Sequence, residues 1–170
     1  MKKQLFSFAA LSLVVTAANA QYCEAVGPSS TIDTNLEAVE LAGATTNISF
    51  TGTCPGITGL EDQTAMLADL EPGVEYTIDV TWGTCGGSYS NAGSVWIDYN
   101  GDMTFEDTEV IGTVSYGGGT NRQSYTFTVP VDAALGNTRM RVMQREGGSL
   151  PLDPCGTYSW GSVVDFTIYI

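Results

Sequence analysis

Apolar side chains at every second position limit the fold of this chain more than any other feature. In the stretch 74–82, VEYTIDVTW, residues Val74, Tyr76, Ile78, Val80 and Trp82 alternate with polar or charged neighbours. A period of two places alternate side chains on opposite faces of an extended backbone, so the stretch reads as a strand with one buried face. The alternation recurs at 124–129 through Tyr125, Phe127 and Val129. It recurs again at 138–144, where Met140 and Val142 alternate with Arg139 and Arg141, and at 163–170 through Val164, Phe166, Ile168 and Ile170. Shorter apolar runs at 36–41, 47–50, 95–97 and 110–116 read as further strands, and 65–70 as a strand or a short helical turn. Glycine and proline punctuate the intervals at 51–59, 72–73, 84–93, 117–119 and 146–156, as turns and loops require. No segment sustains a period of 3.6. About eight short strands joined this way predict an all-β fold, an antiparallel β-sandwich. Burial of the alternating Val, Ile, Phe and Tyr side chains, at about 1.5–3 kcal/mol each, supplies its stability.

The first twenty residues stand apart. They carry two lysines, an apolar run from Leu5 to Val15 and a small-residue ending, Ala18-Asn19-Ala20. That is the pattern of a secretory signal peptide cut before Gln21, and its apolar run is too short for a membrane span. Residues 21–170 are then expected to form one domain, with 22–30 as an irregular arm. Beyond the signal peptide there are four cysteines, Cys23, Cys54, Cys85 and Cys155. An even number in an exported chain predicts two disulfides, with three connectivities compatible with the spacing. The same residues hold four arginines against nineteen carboxylates, a net charge of −15. Such a surface repels nucleic acid and anionic membrane and attracts cations.

The acidic stretch 98–109, DYNGDMTFEDTE, concentrates that attraction. Asp98, Asn100, Asp102, Thr104, Glu106 and Glu109 occupy positions 1, 3, 5, 7, 9 and 12 of a calcium-binding loop. A hard divalent cation takes six to eight oxygens, and a chain curling around it offers one at every second residue, with a bidentate carboxylate at the end. Position 6, where such loops place glycine, is Met103; Gly101 is the residue expected to take over the turn. Phe105 supplies an apolar anchor to the body of the fold. The loop joins two strands, so helix opening of the EF-hand kind is not expected. The competing reading is an acidic hairpin loop without metal.

Catalysis finds little support. The chain has no histidine, which removes Ser-His-Asp and Cys-His mechanisms, and nothing marks two of the many carboxylates as a glycosidase pair. The Gly117-Gly118-Gly119 run lacks the strand-to-helix setting of a phosphate cradle. Arg139 and Arg141 share a strand face and either pair with Asp165 or the acidic loop or face solvent. Trp82, Tyr89, Tyr116, Tyr158 and Trp160 lie near loops, where rings on a sandwich rim can stack on sugars.

Several phrases together resemble one known family. They are YC at 22–23, VWIDYNGDMTFEDTE at 95–109, FTVP at 127–130 followed by GNTRMRV at 136–142, and a late cysteine followed by GSVVDFTI at 161–168. This combination resembles the GEVED domain, a β-sandwich module of secreted bacterial proteins often found beside secreted proteases and adhesins. The resemblance covers nearly all of 21–170. At 161–165 it keeps the first glycine, one valine and Asp165, while both glutamates of the family motif are replaced. It implies fold and compartment more than activity. It also implies the pairing Cys23–Cys155, which leaves Cys54–Cys85. The resulting expectation is a non-enzymatic, extracellular or cell-surface calcium-binding module that engages an extracellular protein or glycan, with no nucleic acid and no membrane span. The alternatives are a self-assembling surface or filament subunit and a carbohydrate-binding module.

Overall fold

The alternating stretches become strands in the computed structural model, which describes residues 21–170; the expected signal peptide lies outside the described residues. Ten strands follow in order: β1 (Gly27–Ser30), β2 (Asn35–Ala42), β3 (Asn47–Thr51), β4 (Leu60–Asp69), β5 (Glu75–Gly83), β6 (Asn91–Ile97), β7 (Val110–Tyr116), β8 (Asn121–Thr128), β9 (Asn137–Glu146) and β10 (Thr157–Tyr169). They form two sheets. One has the order β3-β2-β5-β8; the other runs β1-β10-β9-β6-β7, with β4 also on β10.

Three expectations are corrected. The segment 22–30 is not irregular throughout, because Gly27–Ser30 pairs with residues 157–160 of β10. Its sequence, GPSS, has no alternation to read; backbone pairing alone makes it a strand. The sandwich is not wholly antiparallel, since β1 and β4 both run parallel to β10. Parallel neighbours need a crossover, and here β2 and β3 provide it by crossing to the other sheet before the chain returns to the same edge of β10. Val74 is exposed and precedes β5 rather than joining its buried face. Residues 65–70, open between strand and helical turn, belong largely to β4.

The main core lies between the sheets. Leu36, Val39, Ile78, Val80 and Trp82 from one sheet meet Val95, Ile97, Met140, Val142, Val164, Phe166 and Ile168 from the other. Trp82 packs so closely on β6 that a Cβ at Gly93 would lie 2.6 Å from its ring, which is why that position carries no side chain. A second apolar cluster of Val26, Ala92, Trp96, Phe105, Met143, Leu152 and Val163 covers the other face of the larger sheet. All seven residues of β6 are therefore buried, and a strand covered on both faces loses its alternation. Both disulfides form as the resemblance implied, Cys23–Cys155 and Cys54–Cys85.

Candidate functional site

The acidic loop begins where β6 runs out of partners. Val95, Ile97 and Tyr99 belong to the core between the sheets, whereas Trp96 belongs to the outer cluster. Asp98 falls on the Trp96 side by the same period of two. Its carboxylate is fully buried and collects three donors. Oδ1 accepts the Gly101 amide at 2.7 Å, and Oδ2 accepts the Met103 amide at 3.0 Å and the Tyr22 hydroxyl at 2.5 Å. These bonds draw the backbone around the first residue of the loop. Gly101 was expected to take the turn that Met103 could not. Instead both are left-handed, at φ 71 and 69°. A side chain in that region costs on the order of 1 kcal/mol, and the Asp98–Met103 hydrogen bond holds it there.

The rim of the loop is built from short turns. Asn100 Oδ1 accepts the Asp102 amide at 2.8 Å, and Asp102 Oδ1 accepts the Thr104 amide at 2.9 Å and the Thr104 hydroxyl. The Thr104 hydroxyl and amide lower the pKa of Asp102. Asn100 Nδ2 bridges Asp102 and Glu106 at 3.2 and 3.1 Å. The loop closes through a single 3-10 turn, Asp107–Glu109. Glu109 Oε1 accepts the amides of Tyr99 and Asn100 at 2.7 and 3.3 Å, and Oε2 that of Glu106 at 3.2 Å. Burial raises the pKa of Glu109, with the Asp98 carboxylate adding to it and the three amides working against it.

The six predicted ligands therefore divide. Asp98 and Glu109 lie inward on backbone amides; Asn100, Asp102, Thr104 and Glu106 form an exposed rim. Among the described residues no three of His, Cys, Asp or Glu converge closely enough to hold a metal ion. Phe105 does anchor the loop: it is buried 5.3 Å from the Tyr22 ring and 6.5 Å from that of Trp96.

The layer beneath is polar and nearly closed. Strand register sets Arg141 opposite Asp165 on one side and Trp96 on the other. Both Arg141 and Asp165 are fully buried, and the pair is bidentate, Nε to Oδ1 and Nη2 to Oδ2, both at 2.7 Å. The remaining Arg141 donors reach the carbonyls of Pro154 at 2.8 Å and Cys23 at 2.9 Å. Arg139 reaches the same carboxylate at 3.2 Å and lies 4.4 Å over the Tyr22 ring. Of the destinations open to these arginines, Asp165 is the one they take.

Tyr22 is the residue that sequence reasoning passed over. It sits between Arg139 and Phe105 with its hydroxyl on Asp98, so it ties the N-terminal arm to the loop. The only signal for it was the adjacent cysteine. Burial, and then the bond to Asp98, raises its pKa, so it stays a donor across the ordinary pH range. Tyr22→Phe keeps the ring and removes one hydrogen bond to a buried charge, so it should lower stability in urea titration by about 1.5–3 kcal/mol. An unchanged midpoint would show that the bond contributes nothing.

The five aromatics considered for sugar stacking do not form one platform. Trp82 is core, the Tyr116 hydroxyl accepts from Gln144, and that of Tyr158 donates to the Ser162 carbonyl. Tyr89 and Trp160 are exposed.

Comparison with known proteins bears on this region. No curated protein matches the chain. Among solved structures, the chain is similar to the CARDB domain of a Pyrococcus furiosus protein, crystallised in complex with di-metal ions. Identity is 13% and the TM-score 0.40, over 93% of this chain and 98% of that one. The family model of the GEVED domain matches residues 93–169, which hold β6, the acidic loop, Arg141 and Asp165. Over those residues the chain matches the model of the GEVED domain, the family that its acidic and RMRV phrases resemble.

Proposed function

We propose that this chain is a non-enzymatic extracellular binding module whose 98–109 loop takes one calcium ion and is stiffened by it. The observation that carries the reading is the inward carboxylate of Asp98, which binds the amides of the fourth and sixth loop positions and bends Met103 into the left-handed conformation. A calcium loop needs its sharp turn at that sixth position. Among the described residues the salt bridges of lysine and arginine involve none of the loop carboxylates, which leaves their charge for an ion from solution. The ion would draw on the rim oxygens of Asn100, Asp102, Thr104 and Glu106, with Asp98 and Glu109 at the base. Two disulfides suit an oxidising compartment, and the burial of Trp82 removes one of the rings on which a sugar-binding reading leaned.

The test is thermal unfolding of the purified protein in calcium and in chelator. Extracellular modules bind calcium at about 0.1–1 mM, and free calcium at about 100 times the dissociation constant adds about 2.7 kcal/mol of stability. Asp102→Ala changes an exposed rim residue and should abolish the calcium increment while leaving stability in chelator within about 0.5 kcal/mol. Identical melting temperatures in chelator and in calcium at about 100 times that dissociation constant would remove the metal from this reading.

A further inference from the structure

The end of the sandwich opposite the acidic loop is a surface of its own. β6 runs between the two ends, with the segment 84–90 before it and the acidic loop after it. Four loops gather at its start: 31–34, 52–59, 84–90 and 117–120. They are tied to one another. The Thr31 hydroxyl donates to the Gly56 carbonyl at 3.0 Å, and the Cys54–Cys85 disulfide joins the second loop to the third. The fourth packs on the third so closely that a Cβ on Gly118 would lie 2.8 Å from the Tyr89 nitrogen. Large apolar side chains stand in solvent here: Ile32 is 67% exposed, Ile57 53% and Tyr89 44%. Trp160, 46% exposed, joins them in register with Ser30 at the entry to the first loop.

Charge sets this end apart. The chain has nineteen carboxylates, and Asp33 is the only one within these four loops. Glu37 and Glu146 reach the rim, where each accepts a threonine hydroxyl at 2.8 Å, from Thr120 and Thr34 respectively. Arg145 is also at this rim, one residue from the end of β9. Among the described residues neither Arg145 nor Asp33 forms an ion pair, whereas the other three arginines do.

The chemistry of this face selects its partner. Exposed apolar groups gathered on one face mark an interaction surface. A nearly neutral face cannot compensate a highly charged partner for the water it would lose. It does match a copy of itself. A two-fold axis sets the same residues face to face, so the unpaired arginine of one copy is available to the unpaired carboxylate of the other. Contact through the acidic end would instead set like charges against each other. Contact through this end separates the two acidic loops by two lengths of β6, about 45 Å. That is well beyond the roughly 8 Å over which charge acts at physiological ionic strength. The area is also sufficient. Strands about 4.8 Å apart in two layers about 10 Å apart, with their side chains, give an end of roughly 500–600 Å². Two such faces bury about 1,000–1,200 Å², the lower limit for a specific interface. We propose that this loop end is the contact surface of a homodimer, in which two copies meet end to end on Ile32, Ile57, Tyr89 and Trp160. This goes beyond the calcium reading, because the face shares no residue with the 98–109 loop.

The experiment is sedimentation velocity of the disulfide-bonded protein over a range of concentrations, once in chelator and once in calcium. An interface of this size implies a dissociation constant of about 10–100 µM, so the range should extend from about 1 µM to about 1 mM. Fluorescence gives a second reading. Trp82 and Trp96 are buried, at 0% and 2% exposure, so Trp160 is the tryptophan whose emission should move to the blue as the dimer forms. Ile57→Ser and Trp160→Ser, both exposed changes, should each weaken association about tenfold or more by removing a central anchor. Val131→Ser, 82% exposed at the acidic end, should leave it unchanged. Melting temperatures establish that each variant is folded. A monomer at every concentration would overturn the proposal, as would association untouched by Ile57→Ser and Trp160→Ser or weakened equally by Val131→Ser. A blue shift produced by cellohexaose in protein that stays monomeric would give the face to a glycan, and would overturn it too. The dimer should form in chelator as well as in calcium, and one that needs calcium would contradict the neutral face as its cause. The calcium increment is read separately from thermal unfolding, so its failure leaves sedimentation in chelator as an intact test.

Discussion

Arg141→Ala is expected to destabilise the protein by about 3–5 kcal/mol, the cost of breaking a buried ion pair by removing one partner. The magnitude follows from the surroundings. Arg141 and Asp165 are both fully buried, and truncation leaves the Asp165 carboxylate with a single donor from Arg139 at 3.2 Å. It also frees the carbonyls of Pro154 and Cys23 from the guanidinium that bonds them. Arg141→Lys should recover little, because an ammonium cannot reproduce the planar fork that reaches both carboxylate oxygens and both carbonyls. Replacing both partners by apolar residues, Arg141→Met with Asp165→Leu, should recover more than either single change, since no charge is then left buried and unpaired. Urea unfolding measures each of these variants. A loss under about 1 kcal/mol for Arg141→Ala, the range of exposed pairs, would contradict the closed setting described for this pair.

The second large effect concerns the arm. Cys23→Ser with Cys155→Ser should cost about 2–5 kcal/mol. It should also cost more than the same change at Cys54 and Cys85. The bridged residues are 132 apart in one case and 31 in the other, and chain entropy alone makes the longer closure worth about 1.3 kcal/mol more. The structure adds to that difference. Release of Cys23 frees the segment that holds Tyr22 on Asp98 and the Cys23 carbonyl on Arg141. The loss of the first disulfide and Arg141→Ala should therefore be non-additive, as changes within one hydrogen-bonded network are. Equal losses from the two disulfides, or strict additivity with Arg141→Ala, would separate the arm from the network.

These effects arise in places that differ in how well the sequence exposes them. β5 and β10 are legible because each buries one face, so every second residue is apolar. β6 is not: NAGSVWI is covered on both sides, by the opposite sheet and by the arm and loop, and only its last three residues look like a strand. β1 is the extreme case. GPSS carries no pattern, and it pairs because β10 offers an edge beside it. The acidic loop was legible in position, in its site between two strands and in its Phe105 anchor. Its internal arrangement was not, because left-handed Met103 is imposed by a hydrogen bond to a carboxylate five residues earlier. The pairing of Arg139 and Arg141 stood open among Asp165, the loop and solvent, since alternation gives a face but not what covers it.

By itself the sequence determined the all-β class, the strands with one buried face, and the order of oxygen-bearing residues from Asp98 to Glu109. These are local properties, set by side-chain period and spacing. Only the tertiary structure decided the parallel edge of β10, the closed layer of Tyr22, Arg141 and Asp165, and the division of the loop into an inward pair and an exposed rim. Those depend on residues as far as 132 apart in the chain being brought together. Hydrogen bonding and burial between such distant segments leave no periodic trace in either one alone.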